Sequence, residues 1–178
     1  VGVVNEVPRD NDYDIRVFDS PEELQSAIME KNDNQSLGIS RLTATYDWEY
    51  SSQSKPKDSD YWCVRIGDWS CPWNRQLAKE KESKHLSWIE QSQTIHEIGS
   101  TFTVQGFDLN YVGVIIGPSV KYRDGKIIFD ISESKNKSAV QNRKLESGEM
   151  INYGETLLRN ELNVLLTRGV NGLYVYAV

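Results

Sequence analysis

The feature that most constrains this chain is a run from Tyr111 to Ile116 (YVGVII) that is apolar or glycine at every position rather than at every second one. A strand wetted on one face alternates apolar and polar side chains. A continuous apolar run therefore points to a strand covered on both faces, as in parallel sheets. Further strand signals are Ile15 to Phe18 (IRVF), Leu37 to Tyr46 (LGISRLTATY), Tyr61 to Ile66 (YWCVRI) and Leu173 to Val178 (LYVYAV), none with clean two-fold alternation.

Helical signals lie between these strands. Ser20 reads as a cap, Pro21 as the first helical residue and Glu23 as the closing member of a capping box. That helix is expected to run to about Lys31, with Leu24, Ala27 and Ile28 on its buried side. From Glu149 to Leu166, Met150, Ile151, Leu157, Leu158, Leu162, Leu165 and Leu166 recur at helical spacing, and Gly169 is a natural stop. The polar stretch Arg75 to Gln93 predicts one or two short helices, and Ser132 to Gly148 a charged, mobile loop with a short helix. DWEYSSQSKPKDSD reads as an exposed loop and GDWSCPWN as a tight aromatic turn. VKYRDGKIIFD turns at Asp124-Gly125, the dipeptide suited to a two-residue hairpin, and is expected to add an edge to the sheet.

Strands alternating with helices define an α/β class: a mainly parallel sheet with helices on both faces and an added β-hairpin. At 178 residues the chain fits one domain. The polar residues 1–14 are expected to be a linker or frayed end, and residues 15–178 a single domain. No apolar run approaches the ~20 residues needed to cross a bilayer, and VGVVNEVPRD lacks the basic flank and apolar core of a leader, so a cytoplasmic location is expected. The net charge of −6 argues against a free-standing nucleic-acid binder, because neutralising phosphates supplies most of that affinity; any such contact is local or assisted.

Cys63 and Cys71 stand in a C-x7-C spacing that matches no zinc pattern, and His85 and His96 would complete a ligand set only by an accident of folding. Two plain thiols are the expected state. No paired-carboxylate hydrolase, nucleophile elbow or Cys/His signature is apparent. Trp48, Tyr50, Trp62, Trp69 and Trp73 could stack single-stranded bases. The neighbouring acids Asp47, Glu49 and Asp68 would repel phosphates, so core and loop anchoring is the expected role.

Ligands of open α/β sheets bind where loops leave the carboxyl ends of strands, so polar clusters at strand ends carry the most weight. Two stand out: Thr103-Val104-Gln105-Gly106-Phe107-Asp108 and Thr167-Arg168-Gly169.

These clusters belong to TVQGFDLNYVGVIIG (103–117) and NVLLTRGVNGLYVYA (163–177), which resemble motifs V and VI of superfamily 1 helicases. The chain as a whole resembles the second RecA-like domain of that superfamily, most closely in its Schlafen-type helicase-like members. IRVFDSPEELQSAI, SRLTATYDWEY and DWSCPWN follow in the expected order. The resemblance implies a RecA-like three-layer fold in the carboxyl-terminal motor domain of an ATP-dependent DNA or RNA helicase or translocase-like protein. It implies that Arg168 is an arginine finger, that Gly106 and Asp108 approach the nucleotide, and that Thr103 and Gln105 contact a nucleic-acid backbone or relay its occupancy. Asp108 stands where relatives generally carry Glu, and Phe102 where they often carry His. Thr167 would cap or orient the motif VI segment. ATP and Mg would be held mainly by an N-terminal RecA-like domain, since no GxxxxGK[ST] loop occurs here. A nucleotide-switched nucleic-acid or protein binding module without unwinding is the alternative.

Overall fold

The computed structural model describes residues 13–34, 38–78, 81, 83 and 85–178. In chain order the elements are β1 (Asp14–Val17), α1 (Pro21–Asp33), β2 (Ser40–Ala44), β3 (Cys63–Ile66) and β4 (Trp69–Pro72). Two 3-10 turns (Trp88–Glu90 and Ser92–His96) follow, then α2 (Thr101–Val104), β5 (Leu109–Ile116), β6 (Val120–Arg123) and β7 (Lys126–Phe129). The remainder is α3 (Lys137–Val140), β8 (Arg143–Lys144), β9 (Met150–Ile151), α4 (Gly154–Leu166) and β10 (Gly169–Ala177). One sheet has the order β1-β10-β5-β2, with every neighbouring pair parallel.

The continuous apolar run is explained by the layers on either side of β5. Tyr111 and Ile115 join Leu24 and Ile28 of α1, Leu42 and Ala44 of β2, and the buried Trp73 in one core. Val112 and Val114 point the other way, into a core with Val104 of α2, Leu165 of α4, Trp88 and Ile89. Each fully buried Leu or Ile contributes about 1.5–3 kcal/mol of transfer free energy, so both layers are needed to hold the central strand. This is a three-layer α/β arrangement consistent with a RecA-like fold.

Helix α1 begins at Pro21 with Ser20 as its cap, Ser20 Oγ accepting from the Glu23 N–H at 3.2 Å, which is the first half of the expected capping box. It packs close to the sheet because Gly113 has no side chain: an added Cβ would stand 2.6 Å from Leu42 Cδ2 and 2.7 Å from Ile28 Cγ1. Gly113→Ala is therefore expected to destabilise the protein by about 2 kcal/mol through overpacking. A denaturant midpoint unchanged by this substitution would show that α1 is not seated there.

Several expectations are corrected. GDWSCPWN is a hairpin arm rather than a turn alone, since Trp69–Pro72 pairs antiparallel with Cys63–Ile66. The 120–129 hairpin forms with both Asp124 and Gly125 at positive φ, yet it is a separate two-stranded sheet and not an edge of the main one. Gly117-Pro118 carries the chain off β5, and the Ser119 N–H is held by Asp47 Oδ2 at 3.0 Å. The last helix starts at Gly154, not Glu149, because Met150–Ile151 pairs with Arg143–Lys144. Asn152 secures that boundary: Oδ1 accepts from the Gly154 N–H, and Nδ2 donates to the Val140 carbonyl and Asn142 Oδ1. Within 75–93 the described regular structure is 3-10 turn rather than α-helix. Gly169 opens β10 instead of only ending a helix, and a register shift follows between Gly169 and Gly172. The linker expected over 1–14 lies outside the described residues up to 12, and Asp14 already belongs to β1. No helix among the described residues is long and apolar enough to cross a membrane.

Candidate functional site

Both polar clusters sit at the amino ends of strands, not the carboxyl ends, because each precedes the strand it feeds: 103–108 runs into β5 and Thr167-Arg168 into β10. The parallel pairing of those strands then decides their relation. Gly169 is in register with Leu109, and the Leu109 N–H donates to the Arg168 carbonyl at 2.8 Å. Arg168 is thereby brought beside Phe107 and Asp108 on one rim of the sheet.

The Arg168 side chain crosses between the two segments. Nε donates to the Val164 carbonyl at the end of α4 at 3.0 Å, and Nη1 to the Phe107 carbonyl at 3.3 Å. Asp108 Oδ1 lies 3.7 Å from Nη1, on a side chain that is 72% exposed. So loose and wet an ion pair contributes little to stability. A guanidinium has five N–H donors, and Nη2 has no partner among the described residues.

The bend itself is set by α2. Thr103 is buried; its hydroxyl donates to the Ser100 carbonyl and accepts from the Ser100 N–H, both at 2.8 Å. Gln105 ends the helix and is exposed, and Gly106 follows with φ +83° and nothing near the position a Cβ would take. A side chain would fit the space but not the dihedral, so Gly106→Ala is expected to cost about 1–2 kcal/mol, read as a lowered unfolding midpoint. Thr167 Oγ1 donates to the Asn163 carbonyl at 2.8 Å, closing α4.

The family model for the Schlafen group 3 DNA/RNA helicase domain matches residues 3–178. The chain belongs to that family. A relative of this Schlafen group 3 helicase domain is the uncharacterized protein YPL245W of Saccharomyces cerevisiae, 36% identical over 167 residues, which cover 93% of this chain and 34% of the relative. The chain thus spans about a third of that relative's length. No solved structure matches it.

The aromatic residues of this helicase domain are anchors. Trp73 is wholly buried, and the indole N–H groups of Trp48, Trp62 and Trp69 donate to the Arg65 carbonyl, the Ser54 carbonyl and Gln25 Oε1. Burial pushes the Cys71 thiol up to about 12, and no group of three His, Cys, Asp or Glu suited to a metal occurs among the described residues.

Sequence reasoning missed Glu161. It lies on α4 in line with Leu158, Leu162 and Leu165, is 7% exposed, and its Oε1 accepts from the Tyr46 N–H at 3.1 Å. Burial, with the nearby Asp47 charge second, raises its carboxyl to about 7, against opposing interactions from Asn136, Thr101 and the Tyr46 N–H. The signal was available, since an acid at i+3 from Leu158 and i−4 from Leu165 falls on the apolar stripe.

Proposed function

We propose that this chain is the carboxyl-terminal motor domain of an ATP-dependent helicase or translocase-like protein, lending one wall to an ATP site. The observation that carries the reading is the adjacency of Arg168 and the 105–108 bend on one rim. A guanidinium whose Nη2 has no partner among the described residues, beside an open, glycine-bearing turn, is the arrangement expected of a group that reaches toward a phosphate across a cleft.

ATP with Mg fits this rim as half a site. ATP supplies a phosphoryl group whose transfer spreads negative charge over its outer oxygens. Arg168 offers a planar, permanently charged fork for that charge, Asp108 an exposed acceptor for a ribose hydroxyl, and Gly106 room for close backbone approach. The phosphate-cradling loop and the Mg ligands would come from an N-terminal RecA-like domain, as no GxxxxGK[ST] lies in these 178 residues. Gln105, exposed at the end of α2, faces the nucleic-acid strand; Thr103, tied to Ser100, relays strand occupancy to the bend.

The test is ATP turnover by the full-length protein with and without a single-stranded oligonucleotide. Stimulation by the strand supports the motor. Turnover indifferent both to the strand and to Arg168 would overturn it.

A further inference from the structure

A pocket of about 280 Å³ opens between α2, α3 and α4, lined by Phe102, Asn136, Arg143, Leu157, Glu161 and Val164 among others. Its chemistry is mixed in an informative way. Leu157 and Val164 make it apolar, while Phe102, 56% exposed, is tilted edge-on to Tyr46 with ring centroids 5.7 Å apart. Glu161 is the buried acid. Its Oε1 is engaged by Tyr46, but Oε2 is buried with no hydrogen-bond partner among the described residues, as is the Thr101 hydroxyl. Thr101 and Asn136 are near enough to favour the charged carboxylate without completing a bond to that oxygen. A buried acceptor left open costs about 1–3 kcal/mol, which a ligand offering an N–H donor would recover.

The surroundings have the opposite charge. Arg143 lines the pocket, Lys137 adjoins the lining residue Ser138 and Lys144 adjoins Arg143, in a chain whose net charge is −6. Lys121 is paired with Asp130 and Glu133, but Lys137, Arg143 and Lys144 are exposed and have no carboxylate partner among the described residues. A basic rim repels an incoming Lys or Arg side chain and attracts a polyanion. An occupant that is anionic outside, flat and apolar in its body, and rich in N–H donors at its inner edge is a nucleotide.

We infer that this pocket receives one unstacked base of a single-stranded nucleic acid, its ring against Phe102, its amino-bearing edge toward Glu161 and its flanking phosphates near Lys137, Arg143 and Lys144. The inference rests on the proposed reading that the domain binds single strands, and adds to it a base preference. Cytosine, adenine and guanine present amino donors, whereas thymine and uracil present carbonyl oxygens beside a single N–H, which the carboxylate repels.

The experiment is fluorescence anisotropy at pH 8, where Glu161 is ionised, of the full-length protein with labelled oligo(dC), oligo(dA) and oligo(dT), with oligo(rC) alongside to separate DNA from RNA. Oligo(dC) and oligo(dA) are expected to bind about 10-fold more tightly than oligo(dT). Glu161→Gln should shrink that ratio toward one. Phe102→Ala, a change at an exposed side chain that leaves the core intact, should weaken all homopolymers about 10-fold. Tight binding with no base preference and no response to either variant overturns the pocket while leaving the motor reading in place. Failure to bind any oligonucleotide overturns both. Competition by an arginine-rich peptide that disappears in Glu161→Gln would assign the pocket to a protein partner and overturn the inference.

Discussion

Arg168→Ala is expected to lower ATP turnover of the full-length protein about 10³-fold while leaving single-strand affinity nearly unchanged. The size follows from what the guanidinium does in the proposed reading: it meets charge that develops only in the transition state, so its loss falls on kcat rather than on KM. The folded state loses little by comparison. Among the described residues, the polar contacts of Arg168 are two carbonyls and a loose pair with the exposed Asp108, the pair being worth about 1 kcal/mol or less in water. The competing structural role is a cation at the carboxyl end of α4, worth about 0.3–1 kcal/mol through the helix dipole. Lysine separates the two. Arg168→Lys keeps the positive charge at the helix end but not the planar fork, so it should preserve stability and recover almost none of the turnover. Restoration of turnover by lysine, or a loss that tracks the melting temperature, would reduce Arg168 to a helix cap.

Raising the pH from 5 to 8 is expected to destabilise the folded protein by about 3 kcal/mol, an effect that Glu161→Gln should largely remove. The Glu161 carboxyl has an ordinary value of 4.5 and is lifted to about 7 by burial and by Asp47. The folded state therefore holds a proton that the unfolded chain releases between those values. Stability falls with pH wherever the native state binds more protons, so the penalty is absent below pH 4.5, grows through the interval and is complete above 7. At 1.36 kcal/mol per unit, the gap amounts to about 3 kcal/mol. Asp47 and Glu97 are raised by burial too, and so act in the same sense. The paired carboxylates oppose them only at lower pH: Asp14 is lowered by its hydrogen bonds to Arg16 and Tyr174, and Asp130 is drawn to about 2, mainly by Lys121. Their stabilisation is lost as pH falls through their folded values, below this window. Glutamine keeps an oxygen for the Tyr46 N–H and removes the charge, so the variant should exceed the parent in stability at pH 8 and match it near pH 5. Chemical denaturation at several pH values measures this, and parallel profiles for the two proteins would mean that Glu161 is not the group that titrates.

The amino-acid sequence was enough to read the elements whose signals are local. YVGVII had to be covered on both faces, Ser20-Pro21 had to start a helix, and Asp124-Gly125 had to turn a hairpin, because each depends on the dihedral preferences or spacing of adjacent residues. The clusters at 103–108 and 167–169 were also legible, as polar residues against apolar strands. What failed depended on partners distant in the chain. Met150 and Ile151 fit a helical stripe but pair with Arg143 and Lys144, and the 120–129 hairpin could not be assigned to or detached from a sheet whose edges were unknown.

The same division holds for the site. Sequence alone determined that Arg168 and Asp108 each lie at the foot of a strand. Only the tertiary structure decided that those strands are parallel neighbours in a register that sets the two residues 3.7 Å apart at the amino ends of the sheet. It alone decided that an acid on an apolar helix stripe would keep one carboxylate oxygen without a hydrogen-bond partner among the described residues, against a pocket with cations at its rim. Backbone preference and hydrophobic period act over a few residues. Register, burial and the field at a buried carboxyl are sums over groups brought together only by the finished fold.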